Sequence, residues 1–372
     1  MVIPSKGIFI VGAKRTPFCK YGGSLRETPA CHVFAAAAKD AIQSSNIDPK
    51  AIDHTFVGNV HFLSQCDGGK TPRYCGIYSG VPIEKPALGI NKACGSGLQA
   101  VINGALEILT GLAKVTLTGG TEQMSTQPHL VRNVRFGAGL GGSYQFEDHV
   151  TTQFVDSRSG MTLAKAAEEL AMKNLVTREE ADEYAMKSYL KWKAAQASNI
   201  FANELTSVTT RIKNKEITVT QDELPEPDLS FERLAAVSGS IITNRNSASP
   251  ADGAAAVLLA DEQTVTSQQL SPLARVTGWG PAAAVGVQQV DLFEINDIFA
   301  TQAIITSREL DIDPCRVNVD GGAVTLGHPV AATGARMTVH LVHEMRRRNL
   351  KKGVVASSCG GGQGIALLLE SM

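Results

Sequence analysis

Apolar and polar positions follow two rhythms along the first 120 residues. Short apolar runs, "GIFIVGA" (7–13) and "HTFVGNV" (54–60), have the length and β-branched content of buried strands. "CHVFAAAAKDAIQSS" (31–45) and "GLQAVINGALEILTG" (97–111) instead repeat apolar residues at helical spacing. "KVTLTGGTEQ" (114–123) predicts a further strand running into a glycine turn. Strands alternating with helices predict an α/β fold, a buried parallel sheet with crossover helices.

From about 121 to 240 the rhythm breaks. "QPHLVRNVRFGAGLGGSYQFEDH" is loop-like, "TREEADEYAMKSYLKWKAAQ" is an amphipathic helix, and "NKEITVTQDELPEPDLS" is polar and turn-rich. This stretch reads as an inserted loop domain. The alternation returns with "ADGAAAVLLA", "ARVTGWG", "VDLFEIND", "TVHLVHEMRRR" and "GVVASS". A weak duplication runs through the chain. In residues 1–120, completed by 241–262, Cys94 of "ACGSG" opens a helix and a strand ending at Gly119–Gly120 follows. In residues 263–372, His328 of "LGHPVAATG" precedes a helix and a strand ending near Gly360 follows. Two related halves facing one another would bring these loops together.

Composition narrows the function classes. Hydrophobic residues make up 43% and charged residues 19% of 372, ordinary for a globular chain of enzyme size. A formal charge of −1 gives no support to nucleic-acid or anionic-membrane binding as the main role. The seven cysteines, Cys19, Cys31, Cys66, Cys75, Cys94, Cys315 and Cys359, include no CxxC. That argues against a disulfide framework or a metal site and for a reducing compartment. No apolar run reaches the ~18–20 residues of a membrane span. Before the first acid, Glu27, stand Lys6, Lys14, Arg15, Lys20 and Arg26. They suit an uncleaved organelle-targeting segment, and equally a first buried strand with its loop.

Three short stretches carry candidate chemistry. In "INKACGSGLQAV", Cys94 stands at the start of a helix, where free N–H groups and the macrodipole should lower a thiol's pKa. In "NVDGGAVTLGHPVAATGAR", Gly327 and Pro329 fix the backbone on both sides of His328, a way of aiming an imidazole at a partner thiol. In "FEINDIFATQ", Asn296 ends a strand, where its amide could hold a water or a carbonyl oxygen. Each has a plainer reading: a buried cysteine at a tight turn, a structural histidine, an ordinary cap.

Taken in order, "NKACGSGLQAV", "GGTEQMS", "VRNVRFG", "ADGAAAV", "NDIFATQ", "NVDGGAVTLGHP" and "GGGQGIA" resemble the thiolases along nearly the whole chain. The likeness is nearest to the mitochondrial-type 3-ketoacyl-CoA thiolases. It implies two duplicated βαβαβαββ halves in five layers (αβαβα), with the 121–240 loop domain on the coenzyme A side. It implies a homodimer or homotetramer, coenzyme A as co-substrate, and no permanently bound cofactor or metal. By the same resemblance Cys94 is the nucleophile that becomes the acyl-thioester, and His328 the base that activates it. Asn296 holds an oxyanion-site water, and the N–H groups of Cys94 and Gly360 stabilise the thioester oxyanion. The chemistry suits a β-keto thioester, whose cleavage needs a soft nucleophile, oxyanion donors and a group that protonates the departing carbanion.

The departures from the family pattern are specific. The family's last motif is Cys-x-Gly-Gly-Gly, with that cysteine as acid/base; here Ser358 holds its position and Cys359 the x position. A serine hydroxyl is a poor proton shuttle at neutral pH. The coenzyme-contacting serine falls on Ala248, between Ser247 and Ser249, and a coenzyme-contacting arginine falls on Glu226, the wrong sign for a phosphate. Asp320 replaces an asparagine, and Lys165 a pocket methionine. Between "ARVTGWG" and "VDLFEIND" only "PAAAVGVQQ" remains where the family has a loop and a helix. Losing a core-facing helix should expose apolar surface.

The sequence thus supports an acyl-CoA C-acyltransferase working by thiolysis or by the reverse Claisen condensation. The alternative is a degenerate thiolase-fold binding or assembly partner with little turnover. A decarboxylating ketosynthase fits the loop domain less well. The basic N-terminus, and a chain ending "LESM" instead of Ser-Lys-Leu, favour the mitochondrial matrix over the peroxisome, with the cytoplasm also open.

Overall fold

The continuous apolar run "IFIVGAKR" forms β1 (Ile8–Arg15), buried along almost its whole length, and this strand sits at the centre of the molecule. The computed structural model describes residues 2, 4–65, 67–137, 139–152, 154–280 and 287–372. Cys66 and residues 281–286 of the short "PAAAVGVQQ" segment lie outside the described residues. The other principal strands are β2 (His54–Gly58), β3 (Ala87–Ile90), β4 (Val115–Gln123), β5 (Ala251–Asp261), β6 (Ala274–Gly280), β7 (Leu292–Ile295), β8 (Lys352–Cys359) and β9 (Gln363–Ser371). With the two-residue strand Cys19–Lys20 they make a ten-stranded sheet in the order β7-β8-β9-β6-β1-β5-β4-β2-β3.

The duplication is legible in that order. In the first half β2 lies parallel to β3 and β4, β4 antiparallel to β5, and β5 antiparallel to β1. In the second, β7 lies parallel to β8, β8 antiparallel to β9, and β9 antiparallel to β6. The counterpart of β3 has shrunk to one parallel bridge, Phe293 to Val317. The halves are stitched edge to edge where Phe9 and Ile10 of β1 pair with Arg275 and Ala274 of β6.

Helices complete five layers. α1 (Ala30–Ser45) and α2 (Thr71–Tyr78) cover the outer face of the first half through Phe34, Ala38, Ile42 and Cys75. α3 (Ser96–Thr110) and α7 (Thr333–Arg347) fill the middle layer, burying Leu98, Ile102, Met337 and Leu341 in one core with strands of both halves. This is the largest apolar unit, and burial of each such side chain contributes about 1.5–3 kcal/mol. α6 (Ala300–Glu309) lies on the outer side of the second half. There Phe293, Ile295, Val354 and Ala366 line an apolar groove of about 370 Å³.

The stretch 121–240 holds α4 (Leu163–Lys173), α5 (Arg178–Ala197) and a hairpin, Val208–Ile212 with Lys215–Val219. β4 runs into it, ending at Gln123. A capping box of Thr177 and Glu180 starts α5. Arg15 ties this stretch to β1: fully buried, it bonds Glu204 at 2.6 Å and both oxygens of Asp222 at 2.7 and 3.0 Å. Of the two readings of the basic N-terminus, the fold thus uses residues 8–15 as a buried strand.

Two close backbone approaches set the spacing of the halves. A Cβ added at Gly97 of α3, or at Gly120 of β4, would lie 2.3 or 2.0 Å from the carbonyl oxygen of Ala331. Only glycine admits that contact. It holds the start of α3, which follows Cys94, against the loop that runs from His328 into α7.

Candidate active site

Cys94 sits at the turn into α3, preceded by Ala93 in the left-handed region at φ 47°. Ser96 holds the turn, accepting from the Lys92 N–H at 2.8 Å and donating to the Ala93 carbonyl at 2.6 Å. The Cys94 thiol is buried and lines a cavity of about 400 Å³ with Val60, His61, Phe154, Gly360 and Gly361. Its pKa does not fall, as the helix terminus suggested, but is pushed up to about 12. Burial is the main cause, followed by the neighbouring Cys359 thiol; hydrogen bonds from the N–H groups of Cys94 and Gly360 oppose it. Desolvation outweighs the dipole, so the resting thiol is protonated and needs a base.

His328 is built as one. Its Nδ1 lies 2.7 Å from the Thr333 hydroxyl, which donates its single proton to the Pro329 carbonyl at 3.2 Å. Thr333 thus anchors the Nδ1 side of the ring and leaves Nε2 as the nitrogen turned away from it. That atom is buried and accepts no hydrogen bond among the described residues. Burial, then the positive fields of His61 and Arg336, push the imidazole down to about 3. His328 opens on a second, apolar cavity of about 200 Å³. The two cavities share Phe154 and Leu163 in their walls.

Asn296 follows β7 fully buried, its Nδ2 donating to the Ser357 hydroxyl at 3.2 Å, with Oδ1 unpaired among the described residues. The single Ser357 hydroxyl proton goes to the Ser358 carbonyl at 2.9 Å, with the Cys94 carbonyl 3.4 Å from the same oxygen. Sequence reasoning passed over Ser357, although strand alternation puts it on the face of Cys359. Ser358 points to the opposite face. Its hydroxyl accepts from Gln302 Nε2 at 2.6 Å inside the apolar groove, away from Cys94. Cys359 faces inward and packs so tightly on Gly95 that a Cβ there would lie 2.4 Å from its sulfur. Burial pushes this thiol up, while Lys92 and the Gly95 N–H pull it back.

On the coenzyme side, Ala248 lines the His328 cavity, and the Ser249 carbonyl accepts the His328 N–H at 2.8 Å. The Ser247 hydroxyl is buried and unpaired among the described residues. Glu226 is not a bare negative charge. Arg233 and Arg245 flank it at 3.5 and 3.8 Å, so the cluster is net cationic. Lys165 is exposed on the first turn of α4, outside both cavities, while Leu163 lines them. Asp320 lies 3.4 Å from the buried His340 ring, a structural pairing.

Two residues unmarked by sequence reasoning lie near Cys94. Glu122, inside the quoted "GGTEQMS", is fully buried and accepts from the N–H groups of His61, Val60 and Ala331 at 2.9, 3.2 and 3.0 Å. Burial pushes its carboxyl up to about 7. His61 had no sequence signal at all. Among the described residues no cluster of side chains is suited to a metal.

The fold and this junction belong to one class of protein. Residues 8–263 match the thiolase N-terminal domain and residues 261–371 the thiolase C-terminal domain. The chain belongs to the thiolase family. It is 39% identical to human mitochondrial 3-ketoacyl-CoA thiolase over 98% of each chain, and the crystal structure of that enzyme superposes with a TM-score of 0.95 over 99% of each. The same human enzyme in complex with CoA superposes at 0.93, with 38% identity, over 99% of this chain and 98% of that one. The acetyl-CoA acetyltransferase of Bacillus anthracis, 30% identical, superposes at 0.94 over the full length of both. The alignment with the human sequence runs over 392 positions, more than the 372 residues of this chain, so that relative carries segments this chain lacks.

Proposed function

We propose that this chain transfers acyl groups to and from coenzyme A, cleaving a 3-ketoacyl-CoA to acetyl-CoA and a shortened acyl-CoA, or running the reverse condensation. Cys94 is the nucleophile and carries the acyl group as a thioester. His328 Nε2 takes the thiol proton and returns it to the departing sulfur. The N–H groups of Cys94 and Gly360 face the thioester oxyanion, and Asn296 holds the other oxygen or its water. The observation that carries this reading is a buried, protonated thiol in one cavity and, in a second cavity that shares the Phe154 and Leu163 walls, an imidazole whose Nε2 accepts no hydrogen bond among the described residues. Relatives named as 3-ketoacyl-CoA thiolases and acetyl-CoA acetyltransferases support both directions.

Coenzyme A enters as co-substrate on the side of residues 121–240, past Ala248, with Arg233 and Arg245 answering its phosphates in place of position 226. The protein works as a homodimer or homotetramer; β3 ends the sheet with Leu88 52% exposed, an open edge on which a second copy can continue it. The mitochondrial relatives favour the matrix as its compartment. Thiolysis of a 3-ketoacyl-CoA by the purified protein, followed beside mass detection of acyl-Cys94, tests the reading. Turnover with the adduct, both lost in Cys94→Ala, is the expected result. A folded parent that forms no adduct overturns it.

A further inference from the structure

Ala331 is a point at which the two halves grip one another. Its carbonyl oxygen lies over Gly97 and Gly120 of the first half. Its N–H is taken by Glu122, also of the first half, at 3.0 Å. The loop around it faces both cavities: His328 lines the apolar one, and Val330 lines the one into which Cys94 opens. The Glu122 carboxylate is surrounded by donors. One oxygen accepts from the N–H groups of Ala331 and Val60 at 3.0 and 3.2 Å, the other from the His61 N–H and Asn59 Nδ2 at 2.9 and 3.0 Å. Three of the four donors thus belong to residues 59–61, which leave β2 and wall the Cys94 cavity through Val60 and His61. Only an acceptor-only group satisfies all four; a protonated carboxyl or an amide turns a hydrogen toward a donor. The titratable groups near the carboxylate are the Cys94 thiol, Asp252 of β5 and the His61 ring, whose Nδ1 lies 3.6 Å away.

We propose that Glu122 is a positioning residue for acyl transfer, its ionised carboxylate fixing the loop that carries His328 against the wall of the Cys94 cavity. This rests on the reading of Cys94 as nucleophile and His328 as its base given above. Glu122 itself lines neither cavity, so it acts through the backbone it holds. Acylation of Cys94 by acetyl-CoA reports on it. The bond from the acetyl carbon to the coenzyme sulfur breaks as the bond to the Cys94 sulfur forms, and the thiol proton passes by way of His328 to the departing sulfur. That relay needs the base in one place, and a misplacement of about 1 Å costs roughly 10²-fold. On the thiol itself the negative charge has an opposite, weaker effect, since it disfavours the thiolate. Removing the charge therefore makes Cys94 easier to ionise while leaving its base worse placed.

The test is a double-mutant cycle on the rate of acetyl-Cys94 formation, read by mass, at a pH above the titration of Glu122 near 7. Glu122→Gln should lower that rate roughly 10–10²-fold when His328 is present. In a His328→Asn background, where no base is left to position, the same change should lower the residual rate by less than about threefold, or raise it. The parent rate should also fall as pH drops through about 7 and Glu122 takes up a proton, a limb that Glu122→Gln should lack. Should Glu122→Gln fail to fold, Glu122→Asp, one methylene too short to meet all four donors, enters the cycle with the same expectation for the two backgrounds. Equal losses in both backgrounds overturn the inference, since the residue would then support the fold as a whole. An undiminished rate in Glu122→Gln overturns it too, as does an acid limb that persists unchanged in that variant. A His328→Asn variant that acylates as fast as the parent overturns the reading of His328 as base, and the inference with it.

Discussion

The two halves share a strand order yet are finished differently on the outside. The first half covers its outer face with α1 and α2, burying Phe34, Ala38 and Ile42 in one cluster. The second leaves an apolar groove beside Phe293 and Val354, and its third strand is a single bridge at Val317. The inner faces show no such asymmetry. α3 and α7 pack into one core between the halves, and each half delivers one reactive group to the junction, Cys94 from the first and His328 from the second. A duplicated fold can therefore lose material at its periphery while the shared central layer, which fixes the chemistry, stays intact. Packing is local, and a trimmed outer layer leaves the buried contacts of the inner one in place.

The strongest way to break this comparison is to remove one contribution at a time. Cys94→Ala should lower thiolysis by on the order of 10⁴–10⁶-fold, measured as kcat/KM with a 3-ketoacyl-CoA. His328→Asn should lower it by roughly 10²–10⁴-fold. Thr333→Val removes the group that anchors Nδ1 of the imidazole, and a loss of at least about tenfold in kcat is expected with KM little changed. Gly97→Ala attacks the seam itself. Its new Cβ would meet the Ala331 oxygen at 2.3 Å, and urea unfolding should show a loss of about 3 kcal/mol or more.

The outer faces can be compared directly. Phe34→Ala, inside a filled layer, should cost about 3–5 kcal/mol. Phe293→Ala should cost less, on the order of 2–3 kcal/mol, because its surroundings already border open volume. Equal losses would mean that the groove is filled in solution.

The smallest expected effects are opposite slopes of stability with pH. Glu122 is raised from 4.5 to about 7 in the folded state, so between those values the folded chain holds more protons than the unfolded one. Its contribution is present below about 4.5 and is lost as pH rises through 7. His328 is lowered from 6.5 to about 3, so its contribution runs the other way, gained as pH rises from 3 to 6.5. Denaturant midpoints for Glu122→Gln and His328→Asn across pH 4–7 should therefore depart from the parent in opposite directions. Parallel curves would show that these groups titrate alike in the folded and unfolded chains.

Much of this was written plainly along the chain. The run 31–45 became α1 from Ala30, 97–111 became α3 from Ser96, and 114–123 became β4 from Val115. Elements with a strong apolar period declare themselves because the period is a local property. What stayed hidden depends on parity or on distant partners. Motif alignment places Ser358 at an acid/base position, but a strand turns alternate residues to opposite faces, so it is Ser357 and Cys359 that face Cys94. Glu226 reads as a charge of the wrong sign until Arg233 and Arg245 are seen beside it, 7 and 19 residues along. His61 is a lone histidine after a strand, and nothing nearby announces the cavity it lines. The burial that raises Cys94 comes from a cluster including Met124, Val150 and Val330, far along the chain.

The position of β1 has a consequence for how the protein is made. It precedes the other principal strands along the chain, yet its strand partners are β5 and β6, which begin at Ala251 and Ala274. At ordinary rates of translation the ribosome takes roughly 10–50 s to reach them. During that interval an apolar eight-residue segment waits with both hydrogen-bonding edges open. The central seam thus closes only after the first half and the stretch 121–240 have been made, and its high contact order makes it a natural slow step of folding.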